Sequence, residues 1–350
     1  MILEPLVFLF YLNFVWGAVY QTPLKSDSYV EAMTLKSVYR HSSTTRLFQR
    51  MDISTKIMST PYTLKMSMGT AFRPSQDQLD LMVTRYTSRQ HLRFYDHYEL
   101  QPMDYPLPDI THHPTVLILS EMSYDAYTEI DKEGQQWYDL GSEWDVNSTF
   151  GWEKDGLRGH VFGNTDNSHL VIAFKGTTAA LFGGEPTGEK DKLNDNLLFS
   201  CCCGHSLGGA VATLLGQTFG VPAVSFESPG DRLASQRLHL PHGPGAQYMP
   251  IWHFGHTADP IFIGVCTGPM SGCYYAGFAM ETRCHTGKSC VWDTVKDYGW
   301  RVNIAHHRIG TLIEDILKKP NEFPVPECKV QHDCDDCGLW TFEDDRDRIQ

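Results

Sequence analysis

The run "GHSLGGAVATLLG", Gly204 to Gly216, constrains this chain more than any other stretch. Gly204-His205-Ser206-Leu207-Gly208 fits G-x-S-x-G, in which a serine occupies a strained turn between a strand and a helix and exposes its hydroxyl. Glycines flank the serine because larger side chains would collide with strand and helix. The residues that follow begin small, which lets a helix lie close against a sheet. The N-terminus of that helix would aim backbone N–H groups at developing negative charge. Such a serine stands at the tip of a buried strand, and a strand covered on both faces reads as an apolar run. The residues available here are "NDNLLFSCCC", Asn194 to Cys203, apolar only in part.

The remainder of the chain supplies elements to surround the turn. "GLRGHVF" and "HLVIAF" are β-rich runs separated by the turn formers "GNTDNS", a hairpin signal. "HLVIAF", "VPAVSF" (Val221 to Phe226) and "PIWHFGH" (Pro250 to His256) are buried-strand candidates. A helix begins near Pro114, since proline is tolerated in the first turn. Val116, Leu119, Met122, Ser123 and Ala126 then share a face. "IGTLIEDIL" puts Ile309, Leu312, Ile313, Ile316 and Leu317 on one helical stripe. Buried strands alternating with helices indicate an α/β domain over residues 111–320.

Residues 21–110 read as a polar lead-in. It ends in "QPMDYPLPDI", whose Pro102, Pro106 and Pro108 predict an extended connector. Residues 321–350 form an acidic, cysteine-containing tail. Cys334 and Cys337 have CxxC spacing with no second CxxC to complete a zinc site, which points to a lumenal disulfide or an accessory loop instead. "GGEPTGEK" starts like a phosphate-binding loop, but Glu189 stands where lysine is required.

Composition narrows the setting. A net charge of −13 with no long basic run argues against nucleic acid as a partner. Residues 1–20 are apolar apart from Glu4 and Asn13. They read as a signal anchor, or as a signal peptide ending after Gly17. Ten cysteines and the sequon Asn147-Ser148-Thr149 suit an oxidising secretory lumen, with glycan expected on Asn147.

A nucleophilic serine needs a base and an orienting acid. On strand–turn–helix elbows these follow in the order Ser, Asp or Glu, His. Asp259 lies in "HTADPI", directly after a predicted strand, and Pro260 favours an extended or turned backbone there. Glu227 and Asp231, after "VPAVSF", are rival acids. His306 and His307 are downstream, ahead of the striped helix, and either satisfies the order. An oxyanion would be met by the N–H of Leu207 and by one from "VIAFKGTT", at Thr177. This chemistry calls for no metal and no organic cofactor.

Together "FKGT", "GHSLGG", "HTADP" and "GWRVNIAHH" resemble the class 3 lipases, and more narrowly the autophagy-related lipases of fungal vacuoles. "FESPG", "RLHLP", "CTG" and "DCDDC" extend the likeness over roughly residues 100–340. The resemblance implies an α/β-hydrolase-type domain with a mostly parallel central sheet and an N-terminal membrane anchor. It implies a glycosylated lumenal enzyme that reaches the vacuole through multivesicular bodies. Its partners would be the membrane lipids of intravacuolar vesicles, whose glycerolipid or phospholipid esters it would hydrolyse. By motif, Ser206 is the nucleophile, Asp259 the acid, and His307 rather than His306 the base.

One departure stands out. Related sequences carry a further Cys-rich stretch, a helix and an apolar strand between "SCCC" and "GHSLGG". Here only 28 residues separate Thr177 from Ser206. A parallel crossover needs at least about a dozen residues, so closure is feasible. The expectation is that "LLFSCCC" is pressed into the central position, or that a gap opens beside Ser206. The alternative function is a membrane-tethered lumenal protein that keeps the elbow residues without activity.

Overall fold

The computed structural model describes residues 29–41, 48–52, 62–75, 77–78, 81, 100–128, 158–164, 170–177, 203–265 and 283–336. The apolar N-terminus, Asn147 and Cys337 lie outside them. Among the described residues no helix is long and apolar enough to cross a membrane.

The strands are β1 (Tyr29–His41), β2 (Phe48–Asp52), β3 (Tyr62–Pro74), β4 (Leu100–Pro108), β5 (Arg158–Asn164) and β6 (Leu170–Phe174). They continue with β7 (Cys203–His205), β8 (Ala223–Phe226), β9 (Ile251–His256), β10 (Lys288–Trp292) and β11 (Cys328–Lys329). They join in one sheet of order β11-β10-β9-β8-β7-β6-β5-β1-β3-β4, with β2 paired to β1. The five central strands, β6 to β10, are parallel. Antiparallel strands extend the sheet on both sides.

Helices cover both faces of the parallel part. Strand side chains alternate faces, so Cys203, Val224, Phe226, Trp252 and Phe254 share one side. There they pack with helix α1 (His113–Asp125) and with the helix over 309–317. Val116, Leu119, Met122 and Ser123 of α1, with Ala126 at its C-cap, are all buried. So are Ile309, Leu312, Ile313, Ile316 and Leu317. The opposite side receives α2 (Leu207–Phe219), whose Gly209 and Gly216 lie against Ser225 and Ala223. This is an α/β-hydrolase fold, with the serine turn at the strand-to-helix junction β7–α2.

The lead-in differs in kind from a connector, because its strands β1 to β4 pair into the sheet. The three prolines of β4 are compatible with pairing because β4 is an edge strand. Pro102, Pro106 and Pro108 share one parity along the strand, so their missing N–H groups all fall on one side. The tail is bound to the sheet as well. Cys284 bonds to Cys334, and Cys290 in β10 bonds to Cys328 in β11. Cross-links closing loops of 50 and 38 residues are worth about 3–4 kcal/mol each in the chain-entropy account.

Of "LLFSCCC", Cys203 lies in the described part of β7; residues 197–202 lie outside the described residues. Among the described residues no gap opens beside Ser206. Cys203 and Gly204 pair with Ala173 and Phe174 on one side. On the other, Cys203 to His205 pair with Val224 to Phe226. The described part of the central strand is Cys203–His205, and its neighbours' backbones hold it in register. Cys203 itself is buried in the core, where a thiol packs as a small hydrophobe.

Candidate active site

Ser206 carries φ 58° and ψ −130°, a conformation a non-glycine residue adopts only when its surroundings impose it. Its N–H donates to the Phe226 carbonyl at 3.0 Å, and its own carbonyl accepts the first α2 bonds from Gly209 and Ala210. The flanking glycines permit the sharp turn. A Cβ on Gly204 would lie 2.3 Å from the Gly208 carbonyl oxygen, and one on Gly208 would lie 2.5 Å from the Phe174 carbonyl oxygen.

His307 reaches this serine from the other side of the fold. Asn303 caps the 3₁₀ turn Ile304–His307 by accepting from the Ala305 N–H at 2.8 Å. The Asn303 N–H donates to the Ala258 carbonyl at 3.1 Å. That bond ties the histidine turn to the turn carrying Asp259. The Asp259 Oδ1 accepts from the Ile261 N–H at 2.8 Å, an Asx turn across Pro260. Its Oδ2 lies 2.8 Å from His307 Nδ1, and His307 Nε2 lies 2.8 Å from Ser206 Oγ. A carboxylate only accepts, so Nδ1 carries the proton and Nε2 is left to accept from the serine hydroxyl. Asp259 is fully buried and His307 nearly so. Burial by itself would raise the Asp259 carboxyl. The His307 imidazole and the hydrogen bonds it receives hold it instead at about 2. The acid is ionised wherever the base can work.

A second chain of bonds lashes three segments together. His205 Nε2 lies 2.7 Å from the His307 carbonyl oxygen, which can only accept, so Nε2 is the protonated nitrogen. His205 Nδ1 therefore accepts from the Tyr127 hydroxyl at 2.7 Å. The Tyr127 oxygen in turn accepts from the Gly176 N–H at 3.0 Å. Burial pushes the His205 imidazole down to about 3, so it stays neutral and this pattern does not change with ordinary pH. The result fixes the loop after β6, the elbow and the histidine turn relative to one another. Gly176 is pressed against the elbow: a Cβ there would lie 3.0 Å from the Ser206 Cβ. Thr177 follows it, half-buried. Leu207 opens α2, where the first N–H groups of a helix lack intrahelical acceptors. The two backbone positions expected to face an oxyanion thus lie on segments that border Ser206.

The rival acids sit elsewhere in function. Asp231 accepts from Thr213 Oγ1, Thr286 N and Thr286 Oγ1 at 2.6–2.7 Å, bracing the 284–286 segment. Glu227 is buried beside Asp259 rather than beside His307. His306 turns its ring away to stack on Trp300 at 4.9 Å. Asn147 falls outside the described residues. Among the described residues, no group of three or more His, Cys, Asp or Glu side chains is arranged to hold a metal ion. Sequence reasoning missed Tyr127 and the bridging role of His205. Their contacts span 78 and 102 residues, and neither residue belongs to a local pattern that announces it.

No family model matches the chain. A protein named "Putative lipase ATG15" from Debaryomyces hansenii is 42% identical over 312 residues, covering 68% of this chain and 50% of that protein. One of the same name from Kluyveromyces lactis is 42% identical, covering 69% and 57%. A third, from Saccharomyces cerevisiae strain YJM789, is 35% identical over 428 residues, covering 92% and 81%. The chain spans about half the length of the first two relatives. The 428 aligned positions exceed the 350 residues of this chain, so the third relative carries residues inside the matched span that this chain lacks. Among solved structures, the Lip2 lipase of Yarrowia lipolytica aligns with a TM-score of 0.27 at 11% identity, covering 51% of this chain and 77% of that one. So weak a likeness adds nothing to a fold argued from strand order. With 35% identity across 81% of a relative's length, this chain belongs to the ATG15 family.

Proposed function

We propose that this chain hydrolyses carboxylic ester bonds of glycerolipids by serine chemistry. The observation that carries the reading is the pair of 2.8 Å contacts from His307, to Ser206 Oγ and to Asp259 Oδ2, on a strained elbow. Ser206 Oγ attacks the ester carbonyl carbon while its proton passes to His307 Nε2. Asp259 stabilises the imidazolium. The N–H groups of Leu207 and Thr177 receive the oxyanion. His307 then protonates the departing alcohol, leaving an acyl group on Ser206. A water molecule, deprotonated by His307, releases the fatty acid and restores the serine.

The finer reading is that the substrates are phospholipid and triacylglycerol esters of vesicle membranes in the vacuole lumen. The chain would be tethered through residues 1–20, delivered through multivesicular bodies and glycosylated at Asn147. Its support is the family, the apolar N-terminus, the sequon and the paired lumenal-type cysteines. A second reading, a tethered protein without activity, draws on the residues that the S. cerevisiae relative has and this chain lacks.

One experiment separates the two. Purified chain is treated with a fluorophosphonate probe and assayed on a short-chain ester and on phospholipid vesicles. Labelling that disappears in Ser206→Ala, together with a drop in hydrolysis of about 10⁴-fold or more, is the expected result. A wild-type chain that is neither labelled nor active supports the second reading. A Ser206→Ala chain that hydrolyses ester at the wild-type rate removes serine chemistry from Ser206.

A further inference from the structure

Glu227 is a buried ionisable group beside the triad whose role the triad mechanism leaves unexplained. It follows β8 and is fully buried. Its φ is 48°, so two of the three non-glycine residues in the left-handed region among the described residues, Ser206 and Glu227, are at this site. The Glu227 N–H donates to the Phe254 carbonyl at 2.8 Å, which fixes its backbone beneath the acid turn. Neither carboxyl oxygen reaches a donor with hydrogen-bond geometry. The His256 Nε2 lies 3.4 Å from Oε1, outside that geometry, and the side chain of Asp259 is the neighbouring acid within bonding reach. His256 Nδ1 accepts from the Ala258 N–H at 3.2 Å, so its Nε2 is the protonated nitrogen and points at Glu227.

Two carboxyl groups bond to each other only when one of them holds a proton. Asp259 already accepts from His307 Nδ1 and from the Ile261 N–H, as a carboxylate does. The proton must therefore sit on the partner. A carboxylate buried with no donor closer than the His256 Nε2 at 3.4 Å and with a second carboxylate beside it neutralises rather than stay charged. We propose that Glu227 is a positioning acid that stays protonated and donates its O–H to Asp259, holding the triad carboxylate in line with His307. The inference rests on the serine-hydrolase reading of the site. The same environment acts in the same direction: burial first, then the negative charge of Asp259, push the Glu227 carboxyl well above the usual range.

The titratable groups facing Glu227 limit when this arrangement holds. His256 at the end of β9 is neutral, pushed down to about 4 by burial. Asp259 carries the negative charge, and His307 and His205 face Asp259 from the histidine turn and from β7. His306 borders His256 from the outside. As pH rises, the first change in this set that breaks the Glu227–Asp259 bond is loss of the Glu227 proton, which sets two negative charges side by side. The wild-type enzyme should therefore carry an alkaline limb in its pH–rate profile that a permanently neutral side chain removes.

The test uses the full chain with Glu227→Gln, which keeps the shape, a donor and an acceptor, and with Glu227→Ala, which keeps neither. Activity is read on a soluble short-chain ester across pH, with melting temperature as a check on folding. Glu227→Gln should keep kcat/KM within a few-fold of wild type and lose the alkaline limb. Glu227→Ala should lose about 10- to 100-fold, the scale for deleting a hydrogen bond to a charged group. Infrared difference spectra give a readout independent of activity: the wild-type minus Glu227→Gln spectrum should show a protonated carboxyl C=O stretch at neutral pH, in which the contribution of Glu121, raised to about 7 by burial and common to both chains, cancels. Should the chain prove inactive, the band still reports on Glu227, so failure of the hydrolase reading is distinct from failure of this one. The proposal is overturned by absence of that band. It is equally overturned if Glu227→Gln misfolds or is as impaired as Glu227→Ala, if Glu227→Ala retains wild-type activity, or if the alkaline limb is unchanged in Glu227→Gln.

Discussion

His306 and His307 are chemically identical neighbours, and the orientation of their rings separates them. The imidazole of His307 is buried between Ser206 and Asp259, while that of His306 is half-buried and stacked on Trp300. Replacing His307 with alanine should cut ester hydrolysis by about 10⁴-fold or more, whereas His306→Ala should keep most of it. Steady-state rates of the two variants on one ester decide the matter. Comparable losses from both, or loss from His306→Ala alone, would dissociate the assignment from the geometry. Ser206 is legible in the sequence because an elbow is a local device: its glycines, its serine and its small-residue helix lie within a dozen positions. Asp259 and His307 are legible only as candidates, since chain order leaves Glu227, Asp231 and His306 open. The bonds of Tyr127, His205 and Glu227 connect positions that no spacing rule relates.

Over its described residues, Cys203–His205, the strand β7 carries the serine and is held by pairing to its neighbours. Parallel pairing to β6 and β8 supplies the backbone bonds, and α2 must approach closely enough to keep the turn sharp. That closeness makes Gly204 the vulnerable point of the element. A methyl group at Gly204 would lie 2.3 Å from the Gly208 carbonyl oxygen, so backbone must move. Gly204→Ala should destabilise the chain by about 1–3 kcal/mol or more, the scale of overpacking, and should displace Ser206 Oγ from His307. Thermal unfolding and fluorophosphonate labelling read the two effects together. A variant that melts with the wild type and labels at the same rate would show that the elbow has slack. Elements with strong periodic patterns are read correctly from sequence: the stripes of α1 and of the 309–317 helix, and the runs of β6, β8 and β9. The strands β1 to β4 and β10 are not. Their sequences are mixed in polarity, and β4 contains three prolines that sheet-edge placement alone accommodates.

For the whole molecule, buried histidines set the response to acid. Burial pushes His205, His253 and His256 down to about 3, 4 and 4, and lowers His285 as well. Each of these groups has a depressed folded pKa. Its contribution is present above the unfolded value of about 6.5 and is lost as pH falls. Glu121, pushed up to about 7 by burial, and Glu227, also raised, act in the opposite sense. Among the described residues, with His113 also lowered by burial, five histidines gain protons more readily in the unfolded chain than in the folded one between about pH 6.5 and 4.5, while the folded chain keeps protons on two carboxyls. The histidines win, so stability falls on acidification, by about 1.4 kcal/mol per pH unit for each net proton. Denaturant titrations at pH 7 and pH 5 should give a lower midpoint at pH 5. An equal or higher midpoint would show that the carboxyls dominate.

The sequence by itself determined the class of fold, the serine elbow and the short list from which acid and base are drawn. Those features rest on interactions between residues close in the chain: steric limits at a turn, and one-sided burial at periods of two and 3.6. Tertiary structure decided which histidine faces the serine and which acid faces that histidine. It also decided that Cys203–His205 pair between β6 and β8, and that the lead-in and the tail are parts of one sheet. Those outcomes rest on hydrogen bonds and packing between segments tens to a hundred residues apart. Their strength depends on burial and orientation, which exist only once the sheet has assembled.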